Sequence, residues 1–136
     1  MVSNQPLIST LVAIRAAHHH EATPMYDRVV FEFSGPVPLI EIEYVQQLIG
    51  DGSGLPIAIA GNAIVHVRFT PAQAHNATGQ PTPPERISYN LPNVKEVARA
   101  GDFEAVVSYG IGLDHKAETR IITLASPSRV VIDVIQ

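Results

Sequence analysis

The chain has 136 residues and a mass of 14.7 kDa, which suits one domain burying about two-thirds of the surface its unfolded form exposes. Apolar residues make up 46% and charged residues 16%, with 11 Pro and 9 Gly scattered along the chain, so a disordered polymer is excluded. Nine Lys and Arg against thirteen Asp and Glu give a net charge of -4, and Cys is absent: there is no basic field for nucleic acid and no disulfide, thiolate or cysteine-ligated metal chemistry.

In chain order, Leu7 to Ala17 is fairly apolar but lacks a basic segment before it and is interrupted by Ser9, Thr10 and Arg15. It reads as a strand over Ile8 to Ile14 rather than a signal peptide, so any targeting segment of an exported protein is expected to lie outside this chain. No stretch approaches the roughly 18 apolar residues of a membrane span, and the chain as given is expected to be soluble. The cluster His18-His19-His20-Glu21 reads as a solvated loop. Neighbouring histidines on a strand face opposite ways and no second cluster has ligand spacing, so no metal site is expected.

Arg28 to Ser34, RVVFEFS, alternates with Val29, Phe31 and Phe33 on one face, the period of a half-buried strand. Turn chemistry at Ser34 to Pro38 separates it from LIEIEYV, where Ile40, Ile42 and Tyr44 share one face and Glu41 and Glu43 the other. YVQQLI reads as a helical turn. The GDGSG at Gly50 to Gly54 is a tight loop: Ser53 is misplaced for a nucleophile elbow, and only Asp51 carries the charge a calcium loop would need. AIVHVRFT buries Val65, Val67 and Phe69 and turns His66 and Arg68 outward. TPAQAHN reads as a short helix with Thr70 as N-cap and Pro71 at its first position. His75 sits in a polar turn, and Asn76-Ala77-Thr78 is a chance glycosylation triplet.

After the proline-rich GQPTPP, the segment Glu85 to Asn93, ERISYNLPN, gathers Arg86, Tyr89, Asn90 and Asn93. With Tyr26 these form the expected ligand-binding edge, because Tyr44 and Tyr109 share parity with apolar neighbours and belong to the core. Strands follow over Val94 to Arg99, Ala105 to Ile111 and Arg120 to Leu124, with a turn expected at Ala100 to Asp102 and a surface position for Asp114-His115. After SPS at Ser126 to Ser128 comes RVVIDVI, which repeats the template of RVVFEFS: basic, three apolar, acidic, apolar. If the two lie antiparallel and adjacent, Arg28 faces Asp133 and Glu32 faces Arg129 on a solvated face, pairs worth roughly 0.2–1 kcal/mol each that set register. The sum is an all-β domain, a two-sheet β-sandwich of about eight strands with little helix and a core over about 7–135. No catalytic motif and no cofactor emerge, and the available carboxylates (Glu32, Glu41, Glu43, Glu96, Asp102, Glu104, Asp133) fall mostly on solvent faces.

YDRVVFEFSGPVP followed by SPSRVVIDVIQ resembles the opening and closing strands of the AMIN domain. LPNVKEVARAGDFEAVVSYGIGLD looks like the AMIN-like domain of actinobacterial envelope proteins, which are often secreted or lipid-anchored. The likeness runs from about Leu7 onward. It implies a β-sandwich without enzymatic activity, located in the cell envelope, with peptidoglycan or an envelope protein as partner, and it carries no catalytic residue onto this chain. The rival expectations are a carrier that encloses an apolar small molecule and an enzyme acting through surface carboxylates.

Overall fold

The computed structural model describes residues 7–136. Among these residues eight long strands and four short ones make up the fold, and the eight long ones are those expected from alternation and β-branched content. One sheet has the order β11-β12-β2-β1-β7, built from β1 (Ser9–His19), β2 (Tyr26–Ser34), β7 (Ala72–Gln73), β11 (Glu118–Leu124) and β12 (Ser128–Ile135). The facing sheet has the order β3-β6-β10-β9-β8, from β3 (Leu39–Val45), β6 (Ala63–Thr70), β8 (Arg86–Ser88), β9 (Val94–Phe103) and β10 (Val106–Leu113). All pairings within the two sheets are antiparallel except β1 with β7.

The interior lies between them. Val29, Phe31 and Phe33 from β2 and Val130, Ile132 and Val134 from β12 are buried against Val65, Val67 and Phe69 of β6 and Val107, Tyr109 and Ile111 of β10. Phe69 packs at 4.9 Å from Phe31 and 5.0 Å from Phe33, and Phe31 at 5.8 Å from Tyr109, all at tilted or edge-on angles that suit the aromatic quadrupole. Side chains fill this space, which counts against an enclosed apolar ligand. The small β7 segment shows why the helix expected at TPAQAHN does not form. Ala72 and Ala74 are fully buried. Their amides donate to the Ala105 carbonyl and the Asp102 carboxylate, so those backbone bonds run across the fold. YVQQLI likewise ends β3 at Val45 and begins β4 (Leu48–Ile49), with no helix. The turn expected at Ala100 to Asp102 falls two residues later. There β9 and β10 are joined by Glu104 and Ala105, both at positive φ (51° and 64°), as a two-residue hairpin with right-handed twist requires.

A third layer covers the outer face of the second sheet. β4 pairs with β5 (Pro56–Ile57) in a small hairpin, and Leu48 packs with Ala98 and Ala100, with Ile57, Ile59 and Ile64 at the margin. This layer explains the glycines of YGIGLD. A Cβ on Gly110 would sit 2.7 Å from Leu48 Cδ2, and one on Gly112 would sit 1.9 Å from the Ala60 carbonyl oxygen. The strap lies directly on backbone. Gly112→Ala should therefore displace it and lower stability by about 2–3 kcal/mol, the cost of forcing one methyl group into a filled space, read as a shifted urea midpoint with unchanged slope.

Candidate functional site

Two polar clusters sit at the end of the sandwich that holds the β1–β2 turn and the start of β9. In the first, Asp27, 1% exposed, accepts the amides of Asn93 (2.7 Å) and Val94 (2.8 Å) and meets His18 Nδ1 at 2.7 Å. The carboxylate of β2 thereby ties its sheet to the first residue of β9 in the other sheet. Asn93, itself buried, accepts the His115 amide at 3.0 Å through Oδ1. Its side chain is committed to the fold and withdrawn from any binding edge, which corrects the expectation from ERISYNLPN.

The second cluster answers the repeated template. β12 lies antiparallel to β2, with Arg28 opposite Asp133 and Glu32 opposite Arg129. Arg28 grips Asp133 with two bonds (Nε to Oδ1 2.7 Å, Nη2 to Oδ2 3.0 Å), and Arg120 of β11 adds two more to Oδ2 (Nη2 2.7 Å, Nε 3.2 Å). Asp133 does not face water as its parity suggests: it is fully buried beneath the two guanidiniums. The second expected pair is replaced. Glu32 takes Arg15 of β1 at 2.9 Å, and Arg129 donates to the Pro127 carbonyl. Burial alone would raise the Asp133 carboxyl, but the hydrogen bonds and charges of Arg28 and Arg120 outweigh it and hold it below its ordinary value near 3.8. The bond to Asp133 in turn raises the Arg28 guanidinium.

Tyr26 closes the cluster. Its ring stacks on His19 (4.7 Å, 12°), and the Arg28 and Arg120 guanidinium carbons stand 5.3 and 5.4 Å from its centroid. It holds two cations in place instead of presenting a bare aromatic face. Beside it runs a groove of about 350 Å³ lined by Thr23, Pro24, Tyr26, Glu118, Arg120 and Ile135. Nη1 of each arginine has no protein partner among the described residues, and Arg120 is 52% exposed. Register places Arg15, Arg28, Arg120 and Arg129 on this outer sheet face with Glu32, Asp133 and Glu118. Four of the nine cations of a chain with net charge -4 are thus gathered here.

The remaining expected residues lie elsewhere. Tyr89 is half-buried against the core and reaches the Ile14 carbonyl at 3.5 Å, and burial raises its hydroxyl pKa. Together with Thr82, which donates to the Leu11 carbonyl, it covers the free edge of β1. Arg86 extends along β8 to the Ala58 carbonyl (2.8 Å) and Glu96 (2.9 Å), holding the strap. Asn90 is exposed in the loop after β8. The structure therefore does not bring Tyr26, Arg86, Tyr89, Asn90 and Asn93 together. The histidines are also not a solvated loop: His18 and His19 belong to β1, fixed by Asp27 and Tyr26. A second acid–imidazole pair, His75 Nδ1 to Asp102 Oδ2 at 2.7 Å, removes His75 from the polar turn expected for it. Among the described residues no three His, Asp or Glu side chains converge as a metal ion would need.

The family model of the AMIN-like domain matches residues 9–136. The chain belongs to that family, a β-sandwich class associated with the cell envelope. Among curated proteins and among solved structures nothing matches it. No helix of the described residues is long and apolar enough to cross a membrane.

Asp133→Asn should cost about 3 kcal/mol at neutral pH, near the low end for breaking a buried ion pair because the half-exposed Arg120 can rehydrate. A carboxyl held lower in the folded state than in the unfolded one stabilises above the unfolded value, and that contribution is lost as pH falls through the folded one. The gap between wild type and variant in chemical unfolding should accordingly narrow on acidification below about pH 4.

Proposed function

We propose that this chain is a non-catalytic module of the cell envelope that holds peptidoglycan through the carboxylates of its peptides, on the arginine face of the β11-β12-β2-β1 sheet. The observation that carries this reading is the paired clamp on Asp133. One buried carboxylate fixes two guanidiniums side by side while leaving an N–H edge of each directed away from it. Preorganised guanidiniums bind carboxylates with little loss of side-chain freedom, and the adjoining groove gives a peptide backbone somewhere to lie. Family membership supports the compartment.

Co-sedimentation with purified peptidoglycan tests this. Binding should be clear at low salt and weaken as ionic strength rises. Arg120→Gln should reduce it roughly tenfold, the value of one charge-assisted hydrogen bond, with folding checked by circular dichroism. Wild-type protein left wholly in the supernatant at low salt would refute the reading. Salt-independent binding unchanged in Arg120→Gln would move any wall contact off this face.

A further inference from the structure

The opposite end of the molecule carries a second polar concavity, remote from the arginine face. It lies where the lower part of β9 leaves the side of β8 and is flanked by the loop running from His75 to Glu85. Its volume is about 500 Å³, and its lining includes His75, Gly79, Glu85, Arg99, Gly101 and Asp102.

Three features make it a built site. First, Asp102 is a partly buried anchor: Oδ1 accepts the Ala74 amide (3.1 Å) and Oδ2 holds His75 Nδ1 (2.7 Å). Nε2 is thus the free ring atom of a half-exposed imidazole whose orientation is fixed. Second, Arg99 is tied to Glu85 twice, by its amide to the Glu85 carbonyl (2.8 Å) and by Nη2 to Oε1 (2.7 Å). Third, the β9–β10 register slips between Ser108 and Tyr109, whose partners are Gly101 and Arg99, leaving Ala100 unpaired. Such bulges re-aim side chains. Here the slip puts both Arg99 and Asp102 on the inward parity of β9, shared with Tyr109. The Tyr109 hydroxyl is fully buried, has no hydrogen-bond partner, and lies within electrostatic reach of Arg99, Asp102 and Glu85. Leaving a hydroxyl orphaned at this depth is costly. Tyr109 is the register partner of Arg99, so the orphan belongs to the interior beside the cleft and not to its lining.

The chemistry of the lining selects among ligands. Two carboxylates oppose one guanidinium, which disfavours an anion. Apolar surface is scarce in the lining, which disfavours an apolar molecule. What remains is a mixed set of donors and acceptors: guanidinium N–H, the free imidazole nitrogen and the second Glu85 oxygen. Vicinal hydroxyls, each able to donate and accept, complement that set.

We propose that this cleft is a binding site for an uncharged, hydroxyl-rich ligand, a neutral saccharide, separate from the arginine face and from any ligand held there. With no aromatic platform in the lining, affinity rests on the hydrogen bonds. Amide chemical-shift titration of the intact chain with chitotriose, and in parallel with inorganic phosphate, tests it. Chitotriose should shift resonances over Ala74–Glu85 and Arg99–Asp102 while leaving Tyr26, Arg28 and Arg120 in place. Phosphate should not compete for the cleft. Arg99→Gln should weaken chitotriose binding roughly tenfold, as expected for one hydrogen bond to a charged group. Should Arg99→Gln disturb the fold, Glu85→Gln serves in its place. It neutralises an exposed side chain, so its thermal midpoint should stay close to that of wild type, while its dissociation constant rises at least severalfold. Absence of cleft shifts up to the solubility limit of chitotriose, tighter binding of phosphate there, or equal chitotriose affinity in wild type and both variants would each overturn the assignment.

Discussion

The carboxylate of Asp27 is the constraint around which the sandwich is organised. Two sheets packed face to face are held mainly by non-directional burial, which tolerates sliding. A buried anion that must be satisfied does not. By accepting the amides of Asn93 and Val94, Asp27 fixes where β9 begins relative to β2, and with it the alignment of the two sheets. The same residue orients His18, while Asn93 passes the constraint on to His115 and the end of β10. The aromatic contacts of Phe31 and Phe33 with Phe69 and Tyr109 depend on that alignment. Read this way, the pairing of YDR with LPNV in the sequence is a structural device, one strand supplying the acceptor and the other the donors.

Much of this was legible in the sequence and some was not, for physical reasons. Period-two alternation found the eight long strands because it reports burial on one face directly. The Arg–Asp pairing across β2 and β12 followed from register, since cross-strand neighbours are fixed once two strands are adjacent. What alternation could not report was the depth of Asp133. Its parity is that of the outer face, and it is buried only because Arg120, on a third strand, closes over it. Asn93 failed for a similar reason. A polar residue in a proline-flanked segment looks solvent-exposed, and nothing local shows that Asp27, far away in the chain, is aimed at its amide. The histidines of β1 carry no local mark of their role either, because the residues that fix them, Asp27 and Tyr26, lie across the turn.

The two polar regions differ in construction. The arginine face is an exposed sheet surface on which one interior carboxylate arranges cations. The cleft at the other end is a lateral opening lined by a bulge, an anchored imidazole and a tethered guanidinium. The first is suited to charge and the second to uncharged hydrogen-bonding groups. A scaffold that carries both can contact a polymer presenting both chemistries without bringing the two contacts to one point. The strap over the second sheet belongs to neither. It replaces side chains with backbone, and Gly110 and Gly112 exist to admit it.

The order of strands has one further consequence, for how the molecule comes into being. β12 sits between β2 and β11, so the ladder on that side of β2 is completed only after the hundred or so residues between the two strands have been made. Until they emerge, RVVFEF waits with one side unmatched and its phenylalanines without the full wall of the interior. Closure over a hundred intervening residues makes the step slow compared with hairpin formation. Nascent chains of this design carry an adhesive strand for as long as that stretch takes to emerge, and their yield in a cell depends on what shields that strand in the meantime.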